Sequence, residues 1–324
     1  MKALRCHAFG PVGHLALEDV PSPLPGPRQA VVSIKAAGVN FPDTLIVQGK
    51  YQIKPELPFT PGGEFAGIVK AIGDGVANVK PGDAVLGVGV TGGFAEEALI
   101  DAANLVALPR DADFAVAAAL TMAYGTTIHA LKDRARIVRG ETLLVLGAGG
   151  GTGLAAVEIG KLLGATVIAA ASTDAKLDVC RKHGADALLN YDREDLKERV
   201  RALTNGRGAD VVYDPVGGSY TAAASRSVAW NGRYLVIGFA AGEIPQIPLN
   251  LPLLKGYSIV GVYWGGFVQR EPAGNAANMK QLMDWIAAGK LVPLISARYP
   301  LSQAVDALFA MMRREVTGKI VIVP

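Results

Sequence analysis

Cysteine and histidine are scarce in this sequence of 324 residues, which contains two cysteines and four histidines. Two cysteines cannot build a disulfide-rich scaffold, nor a zinc site with three or four thiolate ligands. Such scarcity is typical of a reduced, cytoplasmic protein. An excess of charge of one sign is also lacking, because 32 basic and 29 acidic residues leave a net charge of +3. A balance this close does not predict a nucleic-acid partner.

Long hydrophobic runs are missing too, apart from one uncharged stretch over residues 114–131. Its length reaches the roughly 18 residues that a membrane-spanning helix needs. Threonines, a tyrosine and a histidine interrupt it, so we interpret it as a buried, alanine-rich helix followed by polar groups. The N-terminal residues lack the continuous apolar core of a secretory signal. We therefore expect a protein that does not enter a membrane.

What the sequence does contain is a large apolar share, 50% of residues, together with 39 glycines and 19 prolines. A chain of this length is expected to form two domains. Up to about residue 108, short apolar segments are separated by turns such as 73–75 and 81–83, which predicts a small β-barrel. From about residue 139, strands alternate with helices, among them a helix predicted over 220–230, and this alternation predicts a parallel, doubly wound sheet. The predicted fold class is therefore α/β with an additional barrel.

A glycine-rich turn follows the first predicted strand of this second region, residues 141–146. The turn comprises Ala148, Gly149, Gly150, Gly151, Thr152 and Gly153. Compared with the pattern G-x-G-x-x-G, Ala148 replaces the first glycine, while the second and third are present. Small residues let the backbone approach a pyrophosphate, whose charge then lies at the N-terminus of the next helix. The turn predicts a dinucleotide site; a tight turn without a ligand is the alternative.

The end of the next predicted strand, residues 166–171, indicates which dinucleotide is bound. An NAD site requires an acidic residue there to accept a hydrogen bond from the ribose 2′-hydroxyl. This chain has alanines followed by Ser172, with Lys176 one helical turn later. The missing acid and the added lysine predict NADP(H). Alternatively, Lys176 is a solvated helix residue and Ser172 or Asp174 an N-cap.

Several segments, in the same order along the chain, resemble the zinc-independent quinone oxidoreductase branch of the medium-chain dehydrogenase/reductases. They are residues 38–43, 49–51, 61–67, 79–85 and 318–321, together with the turn at Ala148. The resemblance implies a split catalytic domain with a GroES-like barrel, residues 1–121 and 265–324, and an NADP(H)-binding Rossmann domain, residues 122–264. It also implies an active site in the cleft between the domains. It further implies a homodimer, often formed through edge strands such as the apolar segment 257–264, although this segment could instead be covered by its own chain.

The same resemblance bears on metal. Zinc-dependent relatives place a cysteine ligand where this chain has Asn40 and a histidine where it has Gly63, and the structural-zinc lobe is absent between Gly87 and Leu99. We therefore expect no metal site, and without a Lewis acid simple alcohol dehydrogenation is not expected. The implied reaction is hydride transfer from NADPH to a quinone or another conjugated carbonyl acceptor.

The resemblance assigns residues to both sides of this reaction. Asn40 and Tyr51 are expected to line the substrate side, with the Tyr51 hydroxyl able to donate to the acceptor oxygen. Alternatively, Tyr51 is a packing residue and Asn40 caps a loop. Leu45 stands where relatives commonly have a second tyrosine, and Asp43 is expected to fix the loop.

Tyr263 and Trp264 are expected to shape the acceptor pocket. The remaining implied cofactor contacts are Thr126, Tyr191, Gly238, Phe239 and Lys319, each of which would also suit a purely structural role.

Two further functions remain open at this point. The acceptor could be a 2-enoyl thioester such as an acyl-CoA, although no convincing basic cluster accompanies the substrate segments. Alternatively, the chain could be a non-catalytic NADPH-binding structural or RNA-binding protein. Its balanced charge and its lack of interleaved aromatic and basic residues argue against RNA.

Overall fold

The computed structural model describes residues 1–109 and 111–324. Within these residues the chain forms two compact units. The first unit comprises Met1–Met122 and Pro293–Pro324, and the second comprises Ala123–Val292.

The regular elements of the described residues, in chain order, are these. The strands are β1 (Lys2–Arg5), β2 (Ala16–Asp19), β3 (Gln29–Gly38), β4 (Glu64–Ile72), β5 (Ala84–Val88), β6 (Glu97–Asp101), β7 (Leu105–Ala107), β8 (Thr142–Val145), β9 (Thr166–Ala171), β10 (Ala187–Asn190), β11 (Ala209–Asp214), β12 (Val228–Val236), β13 (Ser258–Gly261), β14 (Ile295–Pro300) and β15 (Lys319–Val323). The α-helices are α1 (Phe41–Val47), α2 (Phe114–Ala118), α3 (Thr126–Ile128), α4 (Gly151–Leu162), α5 (Asp174–Lys182), α6 (Leu196–Leu203), α7 (Tyr220–Arg226), α8 (Asn250–Lys255), α9 (Trp264–Arg270), α10 (Pro272–Ala287) and α11 (Ala304–Met312).

The first unit is built mainly from antiparallel strands. Its large sheet has the order β14-β15-β3-β4-β5-β7, with β6 also paired to β3. Strand β3 is the centre of this arrangement because it pairs with β4, β6 and β15. The core beneath it is apolar and includes Phe65 and Phe94, both fully buried. The β-rich character expected for this part of the chain is confirmed.

The second unit contains a six-stranded sheet with the order β10-β9-β8-β11-β12-β13, in which every pair is parallel. Counted within the unit, this is the order 3-2-1-4-5-6 of a doubly wound dinucleotide-binding sheet. Its central strands β8 and β9 are nearly continuous apolar runs, as is typical of a sheet whose two faces are both covered by helices. The predicted parallel, doubly wound sheet is confirmed.

Two predicted elements of this unit have different bounds. The helix predicted over 220–230 ends at Arg226, because Val228 and Ala229 are buried in β12, where Val228 pairs with Ala209. The strand predicted over 257–264 is shorter, because the carbonyl of Tyr263 accepts from the amide of Phe267 and the chain enters α9. Trp264 is therefore a helix residue rather than a strand residue.

Residues 114–134 are helical but do not form one regular α-helix. Helix α2 is followed by a π-helical turn at Thr121–Gly125, then α3, then a second π-helical turn at His129–Arg134. The predicted burial is confirmed, since most of these side chains are buried. No helix in the described part of the chain has the length and apolarity that crossing a membrane requires.

The compact units and the predicted domains differ most at the second boundary. Residues 265–292, predicted to belong to the split domain, pack within the second unit. Asn278 on α10 donates to Asp133 at 2.7 Å and accepts from Lys132 at 3.0 Å. Phe267 on α9 stacks on His129 with ring centroids 3.8 Å apart. These polar and aromatic contacts with residues 129–133 explain why the compact unit extends to Val292, which residue periodicity alone did not indicate.

Candidate functional site

A buried polar cluster forms in the first unit where three strands meet. In the β3–β4 register Gly38 lies opposite Glu64, and in the β3–β15 register it lies opposite Val321. Asn40 follows β3 by two residues, and Lys319 is the first residue of β15. The sheet therefore brings Asn40, Glu64 and Lys319 together although 279 residues separate the first from the last.

Lys319 is the cation of this cluster, and its side chain is only 3% exposed. The ammonium donates to Glu64 Oε1 at 2.8 Å, to Asn40 Oδ1 at 2.5 Å and to the Val39 carbonyl at 3.3 Å. A lysine ammonium has three N–H groups, so a bond to a cofactor would have to replace one of these. The cofactor contact expected of Lys319 stays a prediction.

Glu64 is the matching anion, 1% exposed, and its carboxylate accepts four hydrogen bonds. Besides the ammonium, Oε1 accepts from Asn40 Nδ2 at 2.8 Å. Oε2 accepts from the Thr121 hydroxyl at 2.5 Å and from the Met122 amide at 2.8 Å. Four bonds use the four lone-pair positions of an ionised carboxylate, which is the condition for keeping a buried charge.

Two glycines make room for the cluster. A Cβ on Gly38 would lie 2.4 Å from Glu64 Oε1 and 2.3 Å from the Ala118 carbonyl oxygen. A Cβ on Gly63 would lie 2.5 Å from the Met122 methyl group. Gly63 is where zinc-dependent relatives are expected to carry a histidine, so the packing here suits a residue without a side chain.

Asp43 stabilises the backbone conformation at Asn40. Its Oδ2 accepts the Asn40 backbone N–H at 2.8 Å, so Asp43 fixes the entry into α1, as expected. Its Oδ1 makes no hydrogen bond within the described residues. Burial raises the pKa of Asp43 to about 7; the nearby Glu64 charge acts in the same direction, while the Asn40 amide, Lys319 and, more weakly, the peptide of Gly63 oppose it.

The other predicted substrate residues of this unit lie on the same segment of chain. Leu45 is partly buried on α1 and Tyr51 follows shortly after that helix. Tyr51 packs against the apolar core of the unit, which is the packing role considered as its alternative. The substrate role of both residues stays a prediction.

In the second unit the glycine-rich turn connects β8 to α4. Gly147 has φ +57°, and Gly150 is the N-cap residue of the 12-residue α4. A Cβ on Gly153 would lie 2.2 Å from the Gly147 carbonyl oxygen, so the third glycine of the pattern is needed for close packing of helix against turn. A Cβ on Gly150 would meet only the Gly147 carbonyl, at 3.4 Å, and the space above the helix end is otherwise open. The first-turn N–H groups of a helix have no partner within it, so this end can bind an anion.

Lys176 lies directly beside this turn. A Cβ on Gly149 would be 2.7 Å from Lys176 Cβ and 3.0 Å from its Cγ, so the lysine stem packs over the glycine. Ser172 is partly buried at the end of β9. The N-cap of α5 is Thr173, whose hydroxyl accepts from the Lys176 amide at 3.4 Å. The alternative that Ser172 or Asp174 is the N-cap is therefore wrong.

Trp264 packs against Gly125, the residue before Thr126, in the second unit. Trp264 is buried, and a Cβ on Gly125 would lie 2.9 Å from its indole ring. The indole N–H donates to Asn275 Oδ1 at 3.2 Å. Thr126 follows Gly125 between the two π-helical turns, a local distortion that often accompanies functional sites. Tyr263, in contrast, is half exposed.

The remaining predicted cofactor residues follow strand ends of this sheet. Tyr191 comes directly after β10, and its ring lies 4.3 Å from that of Tyr220. Gly238 and Phe239 follow β12, and a Cβ on Gly217 would lie 2.9 Å from the Phe239 ring. Phe239 also lines a cavity of about 250 Å³, whose lining includes Asp214, Thr221 and Tyr234. These residues therefore lie at the carboxyl edge of the sheet, where dinucleotides bind in this fold.

The structure thus places Asn40 in contact with Lys319, and Gly149 in contact with Lys176. It also adds two residues that sequence reasoning missed, Glu64 and Thr121. The available signal was Glu64 itself, a charged residue that begins a mostly apolar strand directly after two glycines. No signal was available for Thr121, because its contact with Glu64 spans 57 residues.

Side chains that could bind a metal ion do not form a comparable cluster in the part of the chain that the structure describes. Within residues 1–109 and 111–324 no set of three or more histidine, cysteine, aspartate or glutamate side chains is placed to hold a metal ion.

Comparisons with known proteins agree with this architecture. Residues 26–110 match the family model for the alcohol dehydrogenase GroES-like domain, and residues 151–288 match the model described as zinc-binding dehydrogenase. The chain is 41% identical to a quinone oxidoreductase-like protein 2 homolog of Nematostella vectensis, over 92% of this chain and 82% of the relative. Among solved structures, a probable oxidoreductase from Mycobacterium abscessus is 38% identical, with a TM-score of 0.90 over 100% of this chain and 99% of that one. The quinone oxidoreductase of Escherichia coli, solved in complex with NADPH, is 29% identical, with a TM-score of 0.93 over the full length of both chains.

Proposed function

The chain belongs to the zinc-independent quinone oxidoreductase branch of the medium-chain dehydrogenase/reductases, and from this premise we propose that it uses NADPH to reduce a quinone or another conjugated carbonyl acceptor without a metal. The observation that carries this proposal is the glycine turn before α4 with Lys176 packed over it. This pairing provides a pyrophosphate site and a cation for a 2′-phosphate in one place. It is supported by the NADPH complex of the Escherichia coli relative.

The pyrophosphate would be held by the turn and by α4. The open space above Gly150 suits a close approach, since a Cβ there would fill it. The 12-residue α4 has its positive dipole end at this point, which favours a negative group. The turn would contribute backbone groups to this phosphate site, from Ala148, Gly149, Gly151 and Thr152. The nicotinamide half of the cofactor would be contacted by Thr126 and the segment Gly238–Phe239.

The adenosine 2′-phosphate would be bound by Ser172, Lys176 and Tyr191. The end of β9 is Ala171, so no carboxylate stands where a ribose 2′-hydroxyl would be bound in an NAD site. Asp174 is the nearest acid in sequence, and it is engaged by Asn190 Nδ2 at 2.8 Å and by Arg193. These bonds favour its ionised form and lower its pKa. Because Asp174 is engaged with Arg193, its charge opposes a phosphate less than a free carboxylate would.

On the acceptor side, the proposal assigns Asn40 and Tyr51 to the developing negative oxygen. Bound NADPH would supply the hydride to a conjugated acceptor. The chain must then stabilise charge on the acceptor oxygen, which uncharged donors such as an amide N–H or a phenol O–H can do. Asn40 stands where zinc-dependent relatives carry a cysteine ligand, so an uncharged hydrogen-bond donor occupies the position of a metal ligand. Leu45, Tyr263 and Trp264 are proposed to shape the space around the acceptor.

A homodimer is part of the proposal. Among the described residues strand β13 pairs with β12 alone, and so it forms an edge of the six-stranded sheet. Ile259 on β13 is exposed, and so are Leu249, Leu253 and Leu254 in and beside α8. An open strand edge beside exposed apolar side chains is suited to pairing with a second copy. Light scattering of the pure protein tests this, and Ile259→Lys should give monomers if the edge forms the interface.

A cytoplasmic location is also proposed. Cys6 and Cys180 are both free and buried, as a reducing compartment allows.

The deciding experiment is a steady-state measurement of NADPH oxidation with quinones, enones and enoyl-CoA thioesters. We expect turnover with quinones or enones, and a loss of roughly a hundredfold in kcat for Asn40→Ala, the usual effect of removing an oxyanion donor. A preference for enoyl-CoA thioesters would mean that the acceptor is a thioester rather than a quinone or enone, while hydride transfer from NADPH would remain the reaction. Absence of turnover with every conjugated acceptor would refute the enzymatic proposal. A gel shift sensitive to salt would then favour an RNA-binding role.

A further inference from the structure

The side-chain amide of Asn40 lies between two opposite charges. An asparagine amide has nearly the same shape in its two flipped orientations, so only its neighbours decide which atom faces which way. The Lys319 ammonium only donates, and it meets Oδ1 at 2.5 Å. The Glu64 carboxylate only accepts, and it meets Nδ2 at 2.8 Å. The flipped amide would set N–H against ammonium and oxygen against carboxylate, so the charges select one orientation.

Counting hydrogens shows what this orientation leaves available. All three ammonium N–H groups of Lys319 and all four lone-pair positions of Glu64 are used inside the cluster. Asn40 Nδ2 carries two hydrogens, and one of them goes to Glu64. For the second, the described residues offer no acceptor. Asn40 is also the most exposed of the three residues, at 8%. Its second N–H is therefore the donor that the cluster can offer to a ligand.

We propose that Lys319 and Glu64 are positioning residues, which hold the Asn40 amide so that an N–H rather than its oxygen is presented to the acceptor. This inference rests on the proposed function, in which Asn40 lies beside the acceptor oxygen. An oxygen presented there would repel the developing negative charge, whereas an N–H stabilises it. Lys319 thereby acts on the reaction through Asn40. This differs from the direct cofactor contact that the family resemblance implies for it.

The two roles of Lys319 predict different kinetics. For Lys319→Met we expect kcat to fall between tenfold and a hundredfold, because the amide loses its preferred orientation. We expect the Kd for NADPH, measured by fluorescence titration, to change less than twofold. Weaker NADPH binding by tenfold or more with an unchanged kcat at saturation would overturn the proposal. The matched control is Glu141→Gln, which breaks the Glu141–Arg233 ion pair of 2.7 Å in the second unit and should leave both constants unchanged.

Dependence on Asn40 is tested by combining the substitutions. If Lys319 acts only through Asn40, Lys319→Met adds nothing to the loss in kcat caused by Asn40→Ala. Independent, multiplying effects would contradict positioning. Lys319→Met leaves Glu64 as an unpaired buried charge, which is strongly destabilising. The double variant Lys319→Met with Glu64→Gln removes both charges, so it tests the same loss of kcat in a protein that keeps its fold.

A readout without turnover separates this inference from the proposed function. In an NMR spectrum, the Asn40 side-chain amide is identified by the signal that disappears in Asn40→Ala. We expect its two protons to have well-separated shifts, with slow exchange for the one bonded to Glu64. In the charge-free double variant the separation should shrink and exchange should accelerate at least tenfold. An unchanged amide signal in that variant would refute the positioning even if the enzyme turned over quinones. If no acceptor is reduced, the proposed function fails and this signal alone decides the positioning.

Discussion

The buried carboxyl of Asp43 predicts a pH dependence of stability confined to the first unit. Burial raises its folded-state pKa from the ordinary 3.8 to about 7. The folded state therefore holds this proton more tightly than the unfolded state does. The contribution to stability is complete below pH 3.8, declines as the pH rises, and is lost once the pH passes 7. Asp43→Asn removes this dependence, because the amide cannot ionise and its oxygen can still accept the Asn40 N–H.

The size of the effect follows from the two pKa values. Between pH 5 and pH 8, wild type should lose about 2.5 kcal/mol of stability relative to Asp43→Asn, close to a hundredfold in the folded-to-unfolded ratio. Tryptophan fluorescence cannot report it, because Trp230, Trp264 and Trp285 all lie in the second unit. Native-state hydrogen exchange resolves the units separately. Amides of β3 and α1 should show the change, and amides of β8 and β9 serve as the internal reference.

The comparison between variants at each pH cancels the intrinsic dependence of exchange on pH. A difference between wild type and Asp43→Asn that stays constant from pH 5 to pH 8 would show that Asp43 ionises normally. A difference that grows in favour of wild type at high pH would reverse the sign of the argument. Either result would refute the assignment of a raised pKa.

Further predictions concern the second unit. Lys176→Ala should weaken NADPH binding at least tenfold and NADH binding less than twofold, as measured by fluorescence titration. The control Lys182→Ala, at the exposed end of the same helix, should change neither affinity. Equal weakening of both cofactors by Lys176→Ala would contradict the 2′-phosphate role. Gly153→Ala should lower stability by more than about 2 kcal/mol and abolish NADPH binding, because the added methyl group would lie 2.2 Å from the Gly147 carbonyl oxygen. A calorimetric Tm equal to that of wild type would be inconsistent with this packing. Gly149→Val should displace the Lys176 stem and reduce the preference for NADPH over NADH, whereas Gly242→Ala, in open space although strained at φ +90°, should leave this preference unchanged.

Much of the second unit could be predicted because its signals are local. A strand, a glycine turn and a helix follow one another within residues 141–162, and the end of β9 lies in the same short stretch as Ser172 and Lys176. Periodicity and turn chemistry act over a few residues, so they are legible in one sequence. The bounds that were wrong, at 220–230 and 257–264, are places where apolar residues suit a helix and a strand equally. There the pairing of β12 with β11 and the turn into α9 decided the outcome.

The sequence by itself determined the fold class, the glycine-rich turn between β8 and α4, and the absence of an acid at the end of β9. Its resemblance to a known family predicted that Asn40 and Gly63 stand in place of metal ligands. Only the tertiary structure decided that Lys319 pairs with Glu64, that Thr121 completes the carboxylate's bonds, and that Lys176 packs over Gly149. The physical reason is sequence separation. A buried charge is tolerated only when its partner is in place, and here strand register brings that partner from 255 residues away. No local pattern records such a contact, so the scarcity of cysteine and histidine could point away from metal ligands but could not reveal the ion pair that lies beside Asn40.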